Sequence, residues 1–563
     1  MCEPQSHFAC FSSLLPPRAL GIQKHTTCTL QERNSIMAII STLFESAIQH
    51  STRSNGMKLL LALVVLVVYK YRSHAIGTRP RRDLKQPKGA VPFLGHMPLL
   101  ASIPGTRLYH FFEKQYNELG PVWSISLPFI GRMIQIDSPE VLEHCVKTNF
   151  WSYEKGPILQ GALYDLTGNG IFASDGEHWR FQRKLASQIF TVKAFRQYTS
   201  DSFMSEGRKV LDFLGQAADA GTIIDFHLLM HNYTLDTFGL ISFGQSYDCL
   251  KNGGKEVPFA ASFDSLGRVC STRFLNPVWK LYERLSGVGK KVQYDRALVR
   301  RHAENIIAKR RKEGYHSSRK DLLQWLLETP AEDGKPLSDE LVMDNIINFT
   351  IAGRDTTAET IAWLFYILHR DSADKDVLNT LRQEVDSFFA GSDQSYDAFK
   401  QQKYSEAWYD QLLFIHYELF LVISALRIYP SVPRNLKLCV ADDTLPGGTK
   451  IYKGEWITWS SYVMGRSEKI WGPDAKEFKP SRWINSEKPS PAKYNVFHLG
   501  PRVCLGQQFA TVQVQVILGM MLQSFEFELV EPSKEPTYGA SVTLSMDGGL
   551  PMRVKRRGGA SAI

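Results

Sequence analysis

A stretch of helix-compatible residues from Ser338 to Arg370 restricts the fold more than any other feature of this sequence. Ser338 is a favourable N-cap, the acidic Asp339 and Glu340 follow it, and no proline interrupts the stretch. A helix of about 33 residues would be ~50 Å long, which is enough to cross a large domain. Apolar residues occupy nearly all of its faces, so the helix should be buried. They include Val342, Met343, Ile346, Ile347, Phe349 and Ile351.

The composition fits a globular protein with a large core. Hydrophobic residues make up 44% of the 563 residues and charged residues 22%, as in ordinary globular domains. The net charge of +9 suits an anionic membrane surface or an acidic protein partner. We predict no nucleic-acid partner, because the sequence lacks zinc-finger spacing and its densest basic cluster adjoins an apolar stretch.

The N-terminal region divides into three predicted segments. Residues 1–56 are predicted to be a disordered leader, 57–72 a membrane-anchor helix and 73–98 a basic, proline-rich hinge. The apolar run from Leu59 to Tyr69 would span only ~16 Å as a helix, about half of a hydrocarbon core. The Lys, Tyr and Arg residues that flank it can extend its reach by snorkelling.

A cleaved secretory signal is the alternative to an anchor, because Ser73–Ala75 resembles a small-x-small cleavage site. The basic residues that follow the run directly favour an uncleaved anchor with the body on the cytosolic side. Residues 99–556 show mostly helical patterns without repeats or a second linker. They are predicted to form one domain, followed by a flexible tail at 557–563.

The chemistry centres on one of the eight cysteines. None of the eight forms a C-x-x-C pair, so a zinc site is not predicted. Cys504 lies on a Gly- and Pro-containing loop, Phe497–Gly506, just before an amphipathic helix predicted from Gln507 to Phe525. The positive end of that helix dipole would favour the thiolate. The loop glycines Gly500 and Gly506 would let the backbone approach a flat ligand.

The loop resembles the haem-binding signature of cytochromes P450, F-x-x-G-x-R-x-C-x-G, at every defined position from Phe497 to Gly506. The resemblance implies a mainly α P450 fold, with a large helical domain, a small β-rich lobe and an N-terminal anchor. It also implies haem b as the cofactor and Cys504 as the axial iron ligand, which favours O–O cleavage. Arg502 would pair with a haem propionate. Phe497, Gly500 and Gly506 would complete the haem loop.

Other family elements follow in the expected order. Trp179 and Arg183 match W-x-x-x-R and would reach a propionate. Asp355 and Thr356, in the middle of the long helix, would help to deliver protons to oxygen, with Gly353 admitting a ligand to the backbone. A threonine that merely bonds back to its own helix is the alternative. Arg434 could hold a substrate carboxylate or, equally, meet a propionate.

One family element is broken. The E-x-x-R motif reads Ser424-Ala425-Leu426-Arg427, so the glutamate that should neutralise Arg427 and Arg482 is missing. Glu418 lies nine residues before Arg427 and would project from roughly the opposite helix face. Losing one partner of a buried ion pair typically costs ~3–5 kcal/mol. We therefore hypothesise a gene-model error near Glu418–Ser424, which sequencing of the transcript would test.

The resemblance implies a monooxygenase that inserts one atom of O2 into a C–H bond of a lipophilic substrate. Three segments resemble the eukaryotic fatty-acid ω-hydroxylase branch, namely Ile351–Thr357, Pro430–Asn435 and Tyr462–Arg466. Electrons would come from NADPH through NADPH-cytochrome P450 reductase, since the chain has no dinucleotide-binding motif of its own. The expected location is the endoplasmic reticulum membrane, with the domain on the cytosolic side.

Two alternative functions remain at this point. One is a relative that rearranges a peroxide without reductase or O2, which the intact Asp355-Thr356 pair argues against. The other is a catalytically impaired or non-catalytic haem-binding relative, for which the replacement of the glutamate by Ser424 is the only support.

Overall fold

The computed structural model describes residues 55–71, 74–189, 193–251, 257–274, 276–314, 321–331, 333–390, 416–484, 486–539 and 541–558. Nearly all of the predicted leader and most of the predicted tail lie outside these residues. Contacts divide the chain into two compact units, Met1–Lys70 and Tyr71–Ile563. In the first unit, helix α1 covers Asn55–Lys70, which overlaps the predicted anchor. No helix in the described part of the chain combines the length and the apolar character needed to cross a bilayer.

Helices make up most of the second unit, so the mainly α prediction is confirmed. They are α2 (Met97–Ala101), α3 (Leu108–Leu119), α4 (Pro139–Glu143), α5 (Gly156–Thr167), α6 (Gly176–Ile189), α7 (Lys193–Ala220), α8 (Phe226–Phe243), α9 (Pro258–Arg273), α10 (Trp279–Ser286), α11 (Val288–Glu313), α12 (Leu322–Glu328), α13 (Asp339–His369), α14 (Lys375–Ala390), α15 (His416–Ile428), α16 (Ser461–Gly465), α17 (Glu468–Trp471) and α18 (Gln507–Ser524). Shorter helical turns cover Gly105–Arg107, His144–Thr148, Phe150–Ser152, Pro480–Trp483 and Gly500–Arg502.

The strands form small sheets. They are β1 (Val122–Leu127), β2 (Gly131–Ile136), β3 (Tyr153–Glu154), β4 (Ile224–Asp225), β5 (Asn435–Cys439), β6 (Asp443–Thr444), β7 (Lys450–Ile451), β8 (Trp456–Trp459), β9 (Phe525–Leu529), β10 (Thr537–Tyr538), β11 (Met546–Asp547) and β12 (Pro551–Arg556). The largest sheet has the order β1-β2-β8-β5-β3, and a second has the order β4-β12-β9. In the first sheet β1 and β2 form an antiparallel hairpin, while β2 and β8 run parallel.

Helix α13 confirms the central prediction from the sequence. It begins after Ser338, whose hydroxyl accepts a hydrogen bond from the N–H of Leu341 at 3.3 Å, and it ends at His369. Its first half, up to Ile351, lies in one hydrophobic cluster, and its second half, from Ala358 onward, lies in another. The polar interruption at residues 352–357 therefore falls between two separate parts of the core.

Helix α18 is buried on two sides, although the sequence predicted one apolar face. Val512, Val516 and Met520 pack in the first cluster, as predicted. Val514 and Leu518, on another side of the helix, pack in the second cluster. The helix after the Cys504 loop is thus held between the same two clusters as α13, which fixes its position relative to that helix.

The element around Arg427 differs from the prediction. The Arg427 guanidinium donates to the backbone carbonyls of Gly465 at 2.7 Å, of Glu477 at 2.6 Å and of Ala475. Burial, together with the neighbouring charge of Arg482, lowers the pKa of Arg427 to about 9. Three carbonyl oxygens thus accept the hydrogen bonds of Arg427 that the sequence analysis expected a glutamate to accept.

The other two residues of this element also have partners. Arg482 donates to the Asp474 carboxylate at 2.6 Å, so the expectation that this arginine lacks a counter-charge was wrong. The Ser424 hydroxyl accepts a hydrogen bond from the indole N–H of Trp483 at 2.7 Å. The pattern E-x-x-R could not reveal Asp474, because that residue reaches Arg482 only through the fold of the intervening loop.

Glu418 is fully buried and does not reach Arg427. Neither of its carboxylate oxygens has a hydrogen-bond partner within the described residues. Burial, reinforced by the charge of Glu384, raises the pKa of Glu418 well above its ordinary value. This carboxyl group is therefore a cost to the folded state whenever it is ionised.

We expect Glu418→Met to stabilise the protein at neutral pH by about 1–3 kcal/mol, because an apolar side chain removes an unpartnered buried acid. The native pKa is raised, so the stability linked to protonated Glu418 is present below the unfolded value and is lost as pH rises through the native value. The advantage of the variant should therefore shrink as the pH falls toward about 4. Thermal unfolding midpoints between pH 4 and 8 measure this.

Glu118→Met, which replaces an exposed glutamate of α3, serves as the control and should change stability by no more than ~0.5 kcal/mol. If Glu418→Met is destabilising at every pH, the buried carboxyl makes a stabilising contact and the interpretation is wrong.

Candidate functional site

The Phe497–Gly506 loop is folded tightly on itself. The N–H of Cys504 donates to the carbonyl of Phe497 at 2.9 Å, and the N–H of Val503 donates to that of Gly500 at 3.1 Å. Gly500 has φ +68°, and a Cβ there would overlap the carbonyl oxygen of Val146. The close approach that requires Gly500 is thus to protein backbone, whereas the sequence argument assigned it to a flat ligand. A Cβ on Gly506 would meet no atom within 4 Å.

Cys504 lies at the end of this loop, three residues before α18 begins at Gln507. Its side chain is exposed, while Cys145, Cys249, Cys270 and Cys439 are buried. Desolvation by surrounding protein raises the pKa of the Cys504 thiol, and the N–H of Gly506 and the charge of Arg183 oppose this effect. The sequence argument expected the helix start to favour the thiolate, but in the protein alone desolvation by neighbouring protein atoms has the larger effect on the pKa.

The structure brings Trp179 and Arg502 together. The guanidinium carbon of Arg502 lies 4.3 Å from the centre of the Trp179 ring. Arg502 also donates to the Asp175 carboxylate at 2.8 Å and to the carbonyl of Ser174 at 2.9 Å. The sequence analysis missed Asp175. This carboxylate pairs with Arg502, the arginine that was assigned to a haem propionate.

Arg183 belongs to the same neighbourhood, one turn after Trp179 on α6. Burial lowers the pKa of Arg183, and interaction with Cys504 acts in the opposite direction. The four predicted residues Trp179, Arg183, Arg502 and Cys504 thus form one group drawn from α6 and the loop.

Two lysines, the half-buried Lys155 and the buried Lys437, adjoin this group and were also missed. Burial lowers the pKa of Lys155 to about 8, and that of Lys437 falls well below its ordinary value; the charge of Arg502 contributes to both shifts. Lys437 is on β5, where its ammonium group donates to the carbonyl of Tyr153 at 3.2 Å. The one sequence signal that could have identified Lys437 is the occurrence of a lysine at a strand position, because lysines are rarely buried.

Basic side chains outnumber acidic ones in this group. The basic residues are Lys155, Lys437, Arg183 and Arg502, and the carboxylates that act on them are Asp175 and Glu154. Burial lowers the pKa of Lys437 well below its ordinary value, so this lysine does not count as a full charge. The two arginines and Lys155 still exceed the two carboxylates, which favours an anion at this site.

Arg434 is held by different neighbours. Its Nε donates to the Thr458 hydroxyl at 2.8 Å, and its guanidinium lies 4.0 Å from the centre of the Phe112 ring. Its Nη2 is buried without a hydrogen-bond partner among the described residues. Burial lowers its pKa to about 10, so the side chain is still charged at neutral pH.

In the middle of α13, Ala352, Asp355 and Thr356 are partly exposed on a helix that is otherwise almost entirely buried. The Thr356 hydroxyl donates to the carbonyl of Ala352 at 2.8 Å, which is the back-bonding alternative raised by the sequence. The Asp355 carboxylate accepts from Arg354 at 2.9 Å. Burial raises the pKa of Asp355, although Arg354 opposes the shift.

Gly353 does not face a ligand, which corrects the sequence argument. A Cβ at this position would overlap the ring of Phe238 on α8. The glycine is therefore required by the close packing of α8 against α13. The Phe238 ring also lies 6.4 Å from that of Phe509, five residues after Cys504, so one aromatic side chain links the two predicted motifs.

Comparison with known proteins gives a consistent family. The cytochrome P450 family model matches residues 85–547. The chain is 34% identical over 498 residues to cytochrome P450 monooxygenase cyp1 of Mycosarcoma maydis, a match that covers 84% of this chain and 75% of the relative. It is 33% identical over 454 residues to cytochrome P450 94B1 of Arabidopsis thaliana, which covers 77% of this chain and 84% of the relative.

A crystal structure of the cytochrome P450DA heme domain matches with a TM-score of 0.71 at 20% identity, covering 86% of this chain and 99% of that domain. At this identity the likeness shows the fold alone.

We expect Gly353→Ala to cost about 1–3 kcal/mol, because the added methyl group overpacks the contact with Phe238. Gly353→Ala combined with Phe238→Leu should recover part of the loss. Gly161→Ala, in the interior of α5 with no atom within 4 Å of its Cβ, is the matched control and should be neutral or stabilising by up to ~1 kcal/mol. Thermal unfolding midpoints of the four proteins measure this, and equal effects of the two glycine substitutions would contradict it.

Proposed function

The chain belongs to the cytochrome P450 family, a family of haem-thiolate monooxygenases, and we propose that Cys504 is the residue that binds the haem iron. The observation behind this proposal is the position of the Cys504 side chain. It is exposed on the signature loop, whereas Cys145, Cys249, Cys270 and Cys439 are buried.

The residues around Cys504 fit a haem. Basic side chains outnumber the carboxylates in this group, and the two propionates of haem b carry negative charge. Arg502 and Arg183 are the proposed propionate partners, with Trp179 stacked against Arg502 and Lys155 and Lys437 adding charge. Nε of Arg502 is buried without a partner among the described residues and remains available. The bound group supplies the electron-transfer and O2 chemistry that side chains lack.

Asp355 and Thr356 are the proposed proton-delivery residues. Burial raises the pKa of Asp355, so this carboxyl can hold a proton nearer to neutral pH than an exposed aspartate can. The Thr356 hydroxyl gives its own proton to Ala352, which leaves its oxygen free to accept one from another donor. Back-bonding and proton transfer are therefore compatible roles for Thr356.

The proposed substrate is a fatty acid, hydroxylated at the ω position, because three segments resemble the ω-hydroxylase branch. Arg434 is the proposed partner of its carboxylate, since the buried Nη2 of this charged arginine has no hydrogen-bond partner in the described part of the chain. The alternative is a haem propionate. Electrons would come from NADPH through NADPH-cytochrome P450 reductase, an acidic partner suited to the net charge of +9.

The proposed location is the endoplasmic reticulum membrane, with the catalytic domain in the cytosol. The apolar residues of α1, the basic residues that follow it and the positive net charge support this location. Membrane fractionation of the full chain, compared with a chain that begins at Arg72, is the test.

We expect the reduced protein with carbon monoxide to show the red-shifted absorption band of a thiolate-ligated haem, and Cys504→Ser to lose it. Cys270→Ala, which alters a buried cysteine, is the control and should retain the band. A band that persists in Cys504→Ser, or an absence of haem in the wild-type protein, would defeat the assignment. A normal band without turnover by reductase and NADPH would instead favour the impaired relative that Ser424 suggested.

We expect Arg434→Gln to raise the KM for a long-chain fatty acid by about tenfold or more, because the variant loses a charge-assisted hydrogen bond. The KM for the corresponding methyl ester, which has no carboxylate, should change little. Turnover with reductase and NADPH measures both. If haem content falls instead, Arg434 contacts a propionate, and if neither changes, it does not bind a carboxylate.

A further inference from the structure

A second cluster of metal-ligating side chains lies between α8 and α13. The Nε2 atoms of His227 and His231 lie 2.9 and 3.0 Å from Oε1 of Glu359, and 3.2 Å from each other. His231 and Glu359 are buried, and His227 is only partly exposed. None of these three residues is among those proposed above to hold the haem or to deliver protons.

Helix geometry explains why these three side chains meet. His227 and His231 are four residues apart on α8, so both imidazoles lie on one face of that helix. Glu359 is on α13, and the two helices pack closely enough that Gly353, nearly two turns earlier, contacts Phe238. The cluster is therefore held by rigid secondary structure on both sides.

The hydrogen bonds within the cluster depend on which nitrogen of each imidazole carries the proton. If both imidazoles donate from Nε2 to Oε1 of Glu359, two N–H groups face each other at 3.2 Å. In addition, Oε2 of the fully buried Glu359 has no hydrogen-bond partner among the described residues. A cation that accepts lone pairs from all three groups removes the conflict between the two N–H groups.

The distances match those of a metal site. Ligand atoms at about 2.0–2.1 Å from a tetrahedral zinc ion lie roughly 3.3 Å from one another. The three distances in the cluster are 2.9, 3.0 and 3.2 Å. The observed distances between the three ligand atoms are therefore within a few tenths of an ångström of those between three ligands of a tetrahedral zinc ion.

The local charge also favours a divalent cation. Asp264, Asp355 and Glu359 are three carboxylates, and Arg354 is the one cation that contacts Asp264 and Asp355 among the described residues. Three acidic groups thus share one arginine in a buried setting, and Glu359 lies against the two imidazoles. A cation bound between the imidazoles and Glu359 would add positive charge to this acid-rich group.

We propose that His227, His231 and Glu359 form a zinc site that braces α8 against α13. Two imidazoles and one carboxylate suit Zn²⁺ and leave a fourth coordination position open. The partly exposed edge of His227 gives the ion a route of entry.

The site would also act on the residues of the proposed haem chemistry. Nδ1 of His231 lies 3.8 Å from Oδ1 of Asp355 and has no hydrogen-bond partner among the described residues. Metal bound at Nε2 fixes the tautomer that carries hydrogen on Nδ1, and so presents an N–H toward the Asp355 carboxylate. His231 is then a positioning residue for Asp355.

The test measures zinc in the purified full chain carrying its haem, after removal of any histidine tag. The protein is stripped with a chelator, incubated with Zn²⁺ and passed through gel filtration, and zinc is compared with haem iron by mass spectrometry. We expect about one zinc per chain in the wild-type protein and at least tenfold less in His227→Asn and Glu359→Gln. His144→Asn is the matched control, because His144 and Asp443 form a pair with only one imidazole.

Folding is checked separately. His227→Asn should retain wild-type haem content and circular dichroism, so that its loss of zinc is not a loss of fold. If the variants fail to fold, the wild-type protein and His144→Asn still decide the question, because added Zn²⁺ should raise both unfolding midpoints. Less than about one zinc per ten wild-type chains, no rise in midpoint, or equal zinc binding by His227→Asn would overturn the proposal.

Discussion

The close packing of α8 against α13 is the constraint on which the rest of the structure depends. It requires a glycine at position 353, because the Phe238 ring occupies the space where any side chain would start. It places the partly exposed Asp355 and Thr356 between two hydrophobic clusters, on a helix with little freedom to move. It also brings His231 beside Glu359, which creates the second polar cluster.

The site around Cys504 contains more charged residues than its sequence signature names. The signature names one cysteine and one arginine, but the fold adds Lys155 and Lys437, both with pKa values lowered chiefly by burial. Asp175 neutralises only part of this charge, through Arg502. An anionic group bound there would pair with basic side chains that Asp175 does not neutralise, and it would thereby stabilise the folded protein.

Neighbouring groups form the contacts that the missing glutamate of the E-x-x-R element would have formed. Arg427 is satisfied by backbone carbonyls, Arg482 by Asp474, and Ser424 by the Trp483 indole. Burial and the charge of Arg482 lower the pKa of Arg427, and Asp474 opposes them only in part. The polar groups of the element thus bond to different neighbours, and Glu418 is buried without a hydrogen-bond partner among the described residues.

The sequence by itself determined the mainly helical fold, the bounds of α13 to within a residue or two, and the loop that presents Cys504. These features depend on interactions between residues close in the chain: N-capping by Ser338, an uninterrupted apolar stretch, and a glycine-containing loop before a helix. Only the tertiary structure decided that Gly353 faces Phe238, that Asp474 neutralises Arg482, and that His227, His231 and Glu359 meet. Such contacts depend on how helices and loops pack in space, and no local pattern encodes which side chains that packing will bring together.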